Sequence, residues 1–332
     1  MLKLGFLGTG WIGRNRMEAM LATGKAMAAA ICDPDPRMLA EAKKIAPLAL
    51  ETTSLDGMLG LELDGVVIAT PSALHAQQCI QAFDVGAAVF CQKPLGRNAA
   101  EVESVLDAAC RADRLLGVDL SYRHTAAVQA IRGRLSVIGL PFAADLTFHN
   151  AYGPGAGWFW DPRLSGGGCL IDLGVHLVDL LLWLFDFPEV LDTHATLMRD
   201  GREVRLDEVE DYAIAELRLA NGLTARISCS WNLSAGTDAI IEANFFGTIG
   251  GLRMHNENGS FFDFSADVFH GRNTERLVSP PDEWGGRAAA DWVTKLADGV
   301  RFNGSTEGLL ATACTLDRLY GRTGNDVRAR TA

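Results

Sequence analysis

Residues 2–13 read LKLGFLGTGWIG, an apolar run that ends in the spacing Gly-x-Gly-x-x-Gly. The run Leu2–Leu7 has the pattern of a strand, and the segment Trp11–Thr23 carries apolar side chains at helical spacing. A glycine turn between a strand and a helix is typical of the first βα unit in a doubly wound parallel sheet. The stretch therefore predicts that the first domain belongs to the α/β class.

The three glycines of this turn indicate a binding site for a dinucleotide. Gly8 permits the tight turn, Gly10 lets a pyrophosphate approach the backbone, and Gly13 allows close packing of helix and strand. The first helical turn adds free N–H groups and the positive end of the helix dipole, which favour phosphate. The alternative interpretation is a glycine turn that binds no ligand. The predicted cofactor-binding loop consists of Gly8, Thr9, Gly10, Trp11, Ile12 and Gly13.

Asp33 ends the second predicted strand, twenty residues after Gly13. A carboxylate at this place can bind the ribose hydroxyls of a dinucleotide and would repel a 2′-phosphate. We therefore expect NAD as the cofactor. Arg14 and Arg37 lie nearby in the sequence and keep NADP open as the alternative, and Arg37 is counted among the candidate cofactor-binding residues.

Short apolar runs alternate with helical patterns through the first 120 residues. Runs that are apolar throughout suit parallel strands that are buried on both faces. The later strand candidates of this part are 26–33, 65–69, 87–91 and 115–120. The pattern predicts a Rossmann-type, doubly wound parallel sheet over residues 1–121.

After residue 122 the pattern becomes rich in alternating strands. The runs 212–219 and 223–232 flank Asn221-Gly222, a strong short signal for a hairpin. Apolar and polar side chains alternate along the second run, which predicts an antiparallel strand with one buried and one exposed face. We therefore expect residues 122–332 to form an α+β domain with an open-faced, mainly antiparallel sheet, closed by a helix at 307–320.

Charge, hydropathy and cysteine content restrict the class of protein. A net charge of −11 over 332 residues, without a basic run, argues against a nucleic-acid-binding surface. The most apolar stretch, Leu177–Phe185, is too short to cross a bilayer and contains Asp179. The first residues lack the pattern of a signal peptide, and the seven scattered cysteines form no C-x-x-C pair. We expect a cytoplasmic protein without disulfides, a metal site or a membrane partner.

Two loops at predicted strand ends carry polar side chains. In an open α/β sheet, ligands bind beyond the carboxyl ends of the strands. Lys93 directly follows a buried strand and precedes Pro94, so we expect it to project into that crevice and donate a hydrogen bond to a substrate oxygen. The alternative is an exposed lysine on a turn. The cofactor-binding candidates in these loops are Thr70, Pro71, Ser72, His75, Gln92 and Lys93 itself.

Residues 166–179 read GGGCLIDLGVHLVD and place ionisable groups on an apolar helix. Asp172 and His176 are four residues apart and share a helix face. Histidine exchanges protons near neutral pH, so this pair is a candidate for catalysis. We expect Asp179 to accept the second N–H of His176, and the three glycines to leave room for substrate and cofactor. The alternative is a core histidine whose hydrogen bonds are satisfied.

Basic and aromatic side chains near these segments are further candidates for substrate binding. Arg123 follows the last strand of the first domain, and Trp158 and Trp160 precede the glycines. A tryptophan can stack on a sugar ring, and packing in the core is an equally good interpretation.

The order and spacing of these motifs resemble those of the Gfo/Idh/MocA oxidoreductase family along essentially the whole chain. The resemblance implies that the first domain binds NAD(P), that the second supplies the substrate site, and that its open sheet serves as an oligomer interface. It also implies that Lys93, Asp172 and His176 form the catalytic group and bind the substrate. A homodimer or homotetramer is therefore expected. The resemblance rests on the glycine loop, Asp33-Pro-Asp-Pro36, residues 69–75, Gln92-Lys93-Pro94, and residues 166–179.

Two positions depart from the family's pattern. Gln92 stands where the family's motif has glutamate, so the negative charge is lost there while a hydrogen-bonding amide remains. Ser72 stands where many members have asparagine. Both changes affect the edge of the cofactor site more than the reacting centre.

These features favour NAD(P)-dependent hydride transfer to or from a secondary alcohol of a sugar, a cyclitol or a related polyol. His176 would take the hydroxyl proton, Lys93 would stabilise the developing alkoxide, and Asp172 would position the substrate. Two alternatives stay open. One is a lyase or glycosidase that reduces and reoxidises NAD within each turnover, and the other is a sensor protein that binds NAD(P) without catalysis.

Overall fold

The computed structural model describes residues 1–205, 208–303 and 306–322. The chain divides into two compact units. The first unit comprises Met1–Ser121 and Gly285–Glu307, and the second comprises Tyr122–Trp284 and the chain from Gly308 onward.

The first unit is built on a six-stranded sheet in which every strand pair is parallel. The strand order β3-β2-β1-β4-β5-β6 places β1 beside β4, where the winding of the chain reverses direction. This order confirms the predicted doubly wound Rossmann sheet. Its strands are β1 (Leu2–Leu7), β2 (Ala26–Cys32), β3 (Leu50–Thr52), β4 (Gly65–Ile68), β5 (Ala88–Cys91) and β6 (Leu116–Val118). Its helices are α1 (Trp11–Ala22), α2 (Pro36–Ile45), α3 (Leu55–Leu59), α4 (Ser72–Asp84), α5 (Ala99–Ala112) and α9 (Arg287–Ala297).

Helix α9 returns the chain to the first unit, so the prediction that residues 122–332 form one domain is wrong for the segment Gly285–Glu307. The helix has a buried apolar face, and Trp292 packs on Phe90 of β5 with 5.8 Å between the ring centres. All four residues of β5 are buried, which requires helices on both faces of the sheet. No helix is predicted for residues 287–297 from the sequence, and local periodicity would not identify which sheet such a helix covers.

The second unit is built on a nine-stranded sheet of order β15-β14-β13-β12-β7-β11-β10-β8-β9. Within the described chain every strand pair in it is antiparallel except β7 with β11. This confirms the predicted, mainly antiparallel sheet. Its strands are β7 (Pro141–Asn150), β8 (Val190–Arg199), β9 (Arg202–Glu203), β10 (Tyr212–Leu219), β11 (Thr224–Ser230), β12 (Ala239–Gly247), β13 (Gly251–Asn256), β14 (Phe264–His270) and β15 (Asn273–Val278). Its helices are α6 (Ala126–Arg132), α7 (Pro162–Ser165), α8 (Val175–Leu184) and α10 (Glu307–Leu319), the last of which matches the predicted closing helix.

Strands β10 and β11 form the hairpin that Asn221-Gly222 predicts, with Tyr212 paired to Ser230. Gly222 has a φ of +88°, a conformation that favours glycine. Buried and exposed residues alternate along both strands. One face of the sheet therefore faces the core, and the other carries exposed side chains such as Glu216 and Arg226.

The helix that carries Asp172 and His176 begins as a π-helical turn, Leu170–Gly174, and continues as α8. The sequence predicts a regular α-helix here, because period-based patterns do not distinguish one wider turn. By length and composition, Pro162–Leu184 could cross a membrane, yet most of it is buried inside the unit, as in a core helix. The π turn widens the helix locally and changes the angle between Asp172 and the side chains that follow it.

Candidate functional site

The glycine turn between β1 and α1 is tightly packed on two sides and open on a third. A Cβ at Gly8 would lie 2.5 Å from the backbone oxygen of Ala69, and one at Gly13 would lie 2.1 Å from that of Gly8. A Cβ at Gly10 would meet nothing within 4 Å. Gly8 and Gly13 are therefore needed for the fold itself, whereas Gly10 leaves the backbone open to a ligand.

Helix α1 begins at this open backbone, and no side chain caps its first turn. Its first N–H groups can therefore bind an anion such as a phosphate. Of the other predicted loop residues, Thr9 is buried, Ile12 is half-buried and Trp11 is exposed. The loop thus presents mainly backbone groups, which suits a pyrophosphate.

The Asp33 carboxylate is fixed beside the glycine loop. Its Oδ2 accepts a hydrogen bond of 2.7 Å from the backbone N–H of Thr9, and its Oδ1 accepts one of 2.9 Å from that of Asp35. Arg14 donates to the backbone oxygen of Thr9 at 2.6 Å, and Arg37 forms an exposed ion pair with Asp35. Asp33 thus faces the glycine loop, and both nearby arginines already bind other groups. This is the arrangement expected for NAD, in which no arginine is turned toward a 2′-phosphate.

The loop after β4 is braced by His75, which lies inside the protein with 1% of its surface exposed. Its ring nitrogens lie 2.7 Å from the backbone oxygens of Thr70 and Pro94, and burial lowers the pKa of the ring. His75 therefore connects the loops that follow β4 and β5, and its predicted contact with a cofactor stays a prediction. Ser72 is also buried, whereas Thr70 and Pro71 are partly exposed.

Gln92 and Lys93 follow β5 at the carboxyl edge of the sheet. The amide of Gln92 donates from Nε2 to Oδ2 of Asp119 at 2.5 Å. The same oxygen accepts a hydrogen bond of 2.6 Å from Nε of Arg16. Lys93 is half-buried. The first unit thus brings the glycine loop, Asp33 and Lys93 to one edge of its sheet, as predicted.

In the second unit, the three glycines before α8 pack against other parts of the protein. A Cβ at Gly168 would lie 1.9 Å from the backbone oxygen of Glu210, and one at Gly167 would lie 2.3 Å from Oη of Tyr320. The buried Glu210 carboxylate accepts hydrogen bonds from the N–H groups of Gly168 and Leu170 and from the Tyr320 hydroxyl. Burial raises the pKa of Glu210, although these donors oppose that shift. The prediction that Gly167 and Gly168 leave room for ligands is therefore wrong.

Asp172 is oriented by a tryptophan that the sequence does not identify as a site residue. Nε1 of Trp231 donates to Oδ2 of Asp172 at 3.1 Å. Trp160 packs edge-on against Trp231 at 5.1 Å, while Trp158 stacks on Phe159 at 3.8 Å. The predicted tryptophans thus belong to an aromatic cluster beside Asp172. The sequence indicates Trp231 only as the last apolar residue of an alternating strand.

His176 lies among aromatic rings and is almost completely buried. Its ring centre is 4.7 Å from that of Tyr122 and 6.2 Å from that of Phe148. Burial, with a smaller contribution from the charge of Asp172, raises the pKa of the Tyr122 hydroxyl. Tyr122 therefore packs against the ring of His176 and is close enough to Asp172 for the charge of that carboxylate to affect its hydroxyl.

Asp179 forms an ion pair with Arg123, and Nε of the arginine donates to its Oδ2 at 2.7 Å. The predicted pairing of Asp179 with His176 is therefore wrong. The guanidinium also lies 5.6 Å from the ring centre of Trp183. Because a buried carboxylate needs a charged partner, Arg123 has a structural role in pairing with Asp179, and its predicted contact with substrate stays a prediction.

Two family models match this sequence. The model described as "Oxidoreductase family, NAD-binding Rossmann fold" matches residues 2–120, and "GFO/IDH/MocA C-terminal domain" matches residues 129–253. The first match ends next to the boundary between the two units after Ser121, and the second begins eight residues beyond that boundary.

The chain is similar to curated sugar dehydrogenases. A D-glucoside 3-dehydrogenase of Escherichia coli is 23% identical over 235 residues, and the match covers 67% of this chain and 64% of that protein. A D-apiose dehydrogenase of Paraburkholderia graminis is 27% identical over 297 residues, with coverage of 86% and 74%. A solved levoglucosan dehydrogenase, in complex with NADH and levoglucosan, superimposes with a TM-score of 0.81 at 21% identity, covering 99% of this chain and 98% of that chain. At that identity the likeness shows the fold alone.

Proposed function

The chain belongs to the Gfo/Idh/MocA family of NAD-binding oxidoreductases, and from this we propose that it transfers hydride between a nicotinamide cofactor and a secondary alcohol of a sugar, a cyclitol or a related polyol. The family that the motif order resembled is thereby confirmed. The observation that carries the proposal is Lys93, which directly follows β5 at the same sheet edge as the glycine turn. A cation at this edge is suited to stabilise an oxygen that becomes negatively charged.

The first unit's residues fit a nicotinamide dinucleotide. The open backbone at Gly10 and the uncapped start of α1 would hold the pyrophosphate. The fixed carboxylate of Asp33 would accept hydrogen bonds from ribose hydroxyls. When bound, the cofactor supplies the hydride acceptor or donor.

The proposal assigns three roles to this chain's side chains. His176 takes the proton of the substrate hydroxyl, Lys93 donates a hydrogen bond to the substrate oxygen, and Asp172 orients the substrate. The hydrogen bond from Trp231 supports the role of Asp172, because it fixes the direction of the carboxylate. In the reverse reaction His176 returns the proton to the oxygen.

The substrate class is inferred from the relatives and from the aromatic cluster of the second unit. The relatives act on glucosides and apiose by their names. Trp160 is half-buried against Trp231 and Trp158 is half-buried against Phe159. Aromatic faces of this kind pack against the apolar faces of sugar rings. We further propose a cytoplasmic homodimer or homotetramer that associates through the open face of β10 and β11.

A panel of sugars and polyols, offered with NAD and with NADP, tests the proposal directly. Oxidation is followed by the absorbance of the reduced cofactor, and the reverse reaction by its disappearance with the corresponding ketones. We expect at least one substrate to give net reduction of NAD. Product formation without net NADH would favour the lyase or glycosidase alternative, and tight NAD binding without any turnover would favour the sensor. Neither alternative is supported by the relatives.

Neutralising Asp33 is expected to weaken the preference for NAD. In Asp33→Asn the side-chain oxygen can still accept from Thr9, but the negative charge that repels a 2′-phosphate is gone. We predict that the ratio of kcat/KM for NAD over NADP falls at least about tenfold. Asp107→Asn, which neutralises an exposed carboxylate on α5 away from the glycine loop, is the matched control and should leave the ratio unchanged. An unchanged ratio in Asp33→Asn would remove Asp33 from cofactor selection.

Removing the indole donor of Trp231 is expected to reduce turnover without affecting cofactor binding. Trp231→Phe keeps an aromatic ring but loses the hydrogen bond to Asp172. We predict a decrease in kcat/KM of about three- to tenfold, the size expected for one hydrogen bond. Steady-state kinetics measure it, with Trp183→Phe on α8 as the control. Wild-type kinetics in a folded Trp231→Phe variant would show that the hydrogen bond does not orient a functional carboxylate.

A further inference from the structure

Three buried or nearly buried polar side chains meet at the carboxyl edge of the first unit's sheet: Arg16, Gln92 and Asp119. They come from different elements, since Arg16 lies on α1, Gln92 follows β5 and Asp119 follows β6. Each is less than 10% exposed. Oδ2 of Asp119 accepts from Nε of Arg16 at 2.6 Å and from Nε2 of Gln92 at 2.5 Å. We call these three residues the Asp119 cluster.

The Asp119 cluster fixes which end of the Gln92 amide faces outward. A carboxylate paired with a guanidinium can only accept hydrogen bonds, so the Gln92 group that faces it must be the NH₂. The amide oxygen therefore points away from Asp119. Among the residues that the structure describes, Oε1 of Gln92 has no hydrogen-bond partner, and it is not fully buried. An oriented acceptor that has no partner among the described residues thus lies on the residue that precedes Lys93.

We propose that Asp119 and Arg16 are positioning residues that hold the Gln92 carbonyl oxygen ready to accept a hydrogen bond from a hydroxyl of the bound dinucleotide. The inference rests on the proposed function and names a further determinant of its cofactor site. It also accounts for glutamine at position 92. A glutamate there would place a second carboxylate in contact with that of Asp119, and two such groups cannot both stay ionised at this distance. In this cluster the carboxylate is supplied by Asp119, which Arg16 pairs.

Exchanging the charges tests the pairing. Gln92→Glu should weaken NAD binding at least about tenfold, because the two carboxylates repel each other or share a proton. The double variant Gln92→Glu/Asp119→Asn restores one carboxylate and one amide. In it the amide at position 119 donates to the carboxylate at position 92 and accepts from Arg16. We expect the dissociation constant for NAD of the double variant to lie within about threefold of the wild-type value. The reason is that each hydrogen-bond donor in the cluster again faces an acceptor.

A third variant covers the case that Gln92→Glu does not fold. Gln92→Met keeps the length of the side chain but removes the acceptor, and should weaken NAD binding about five- to tenfold, as expected for one hydrogen bond. Gln77→Glu introduces the same chemical change as Gln92→Glu at an exposed position on α4 and is the matched control. Dissociation constants for NAD and NADH are measured by fluorescence titration, and melting temperatures without cofactor report the fold.

The outcomes separate this inference from the proposed function. A wild-type protein that binds neither NAD nor NADP would overturn the proposed function itself. If the wild-type protein binds NAD, two results would each refute the positioning role: a Gln92→Met variant that binds as tightly, or a folded double variant that binds no better than Gln92→Glu. Kinetics add a further readout. We expect Gln92→Met to raise KM for NAD while kcat stays within about threefold, because the lost hydrogen bond belongs to cofactor binding.

Discussion

Replacing Lys93 with alanine is expected to lower kcat/KM at least about 1000-fold, while the dissociation constant for NAD stays within about threefold of the wild-type value. Lys93 is half-buried at the carboxyl edge of the sheet. Its ammonium group can donate a charge-assisted hydrogen bond to a developing alkoxide, which a methyl group cannot replace. Steady-state kinetics with the substrate found in the panel, together with NADH fluorescence titration, measure the two quantities.

Two further lysine variants show whether the loss of kcat/KM in Lys93→Ala comes from the ammonium group at position 93. Lys93→Arg keeps the charge but brings a wider, planar group that does not release a proton, so we expect it to restore little activity. Lys44→Ala removes an exposed lysine on α2 that pairs with Glu41, and should leave the kinetics unchanged. Turnover near that of the wild-type enzyme in a folded Lys93→Ala variant would overturn the assignment of Lys93 as a catalytic residue.

The features that the sequence predicted correctly depend on residues that are near one another along the chain. The glycine turn, the burial of β5 and the hairpin at Asn221-Gly222 each follow from local periodicity and from the backbone freedom of glycine. The parallel sheet follows from the repeated alternation of strands and helices, because a crossover helix requires its strands to be parallel.

The features that the sequence missed depend on partners far away along the chain. Asp179 pairs with Arg123, 56 positions away, whereas helical spacing suggested His176 three positions away. Trp231 reaches Asp172 across 59 positions. A local pattern shows that a carboxylate or an indole needs a partner, but the packing of the sheet on α8 decides which residue is close enough.

The same limit explains the misjudged glycines before α8 and the unexpected place of α9. The space at Gly167 and Gly168 is filled by Tyr320 and by the Glu210 segment, and neither lies near the glycines in sequence. Helix α9 covers a sheet whose strands ended more than 160 residues earlier. In both cases the neighbour that occupies the space is set by the tertiary fold and not by residues nearby in the sequence.

The second large effect is expected at the glycine turn, where two alanine substitutions should have opposite consequences. In Gly13→Ala the new Cβ would lie 2.1 Å from the backbone oxygen of Gly8, so α1 or the turn must move. Backbone cannot yield as a flexible side chain does, and we expect a loss of roughly 3 kcal/mol or more in stability. A unit of this size would then melt about 6–12 °C lower, and its affinity for NAD would fall with it.

Gly10→Ala separates binding from folding. Gly10 has a φ of −57°, which alanine adopts without strain, and its Cβ would meet no atom within 4 Å. The melting temperature should therefore stay within about 1 °C of the wild-type value, or rise slightly because the unfolded chain loses freedom. The methyl group would nevertheless occupy the surface that a pyrophosphate must approach, so we expect the dissociation constant for NAD to rise at least about 100-fold. Wild-type affinity in Gly10→Ala would place the dinucleotide elsewhere, and an unchanged melting temperature in Gly13→Ala would contradict the close contact between α1 and the turn.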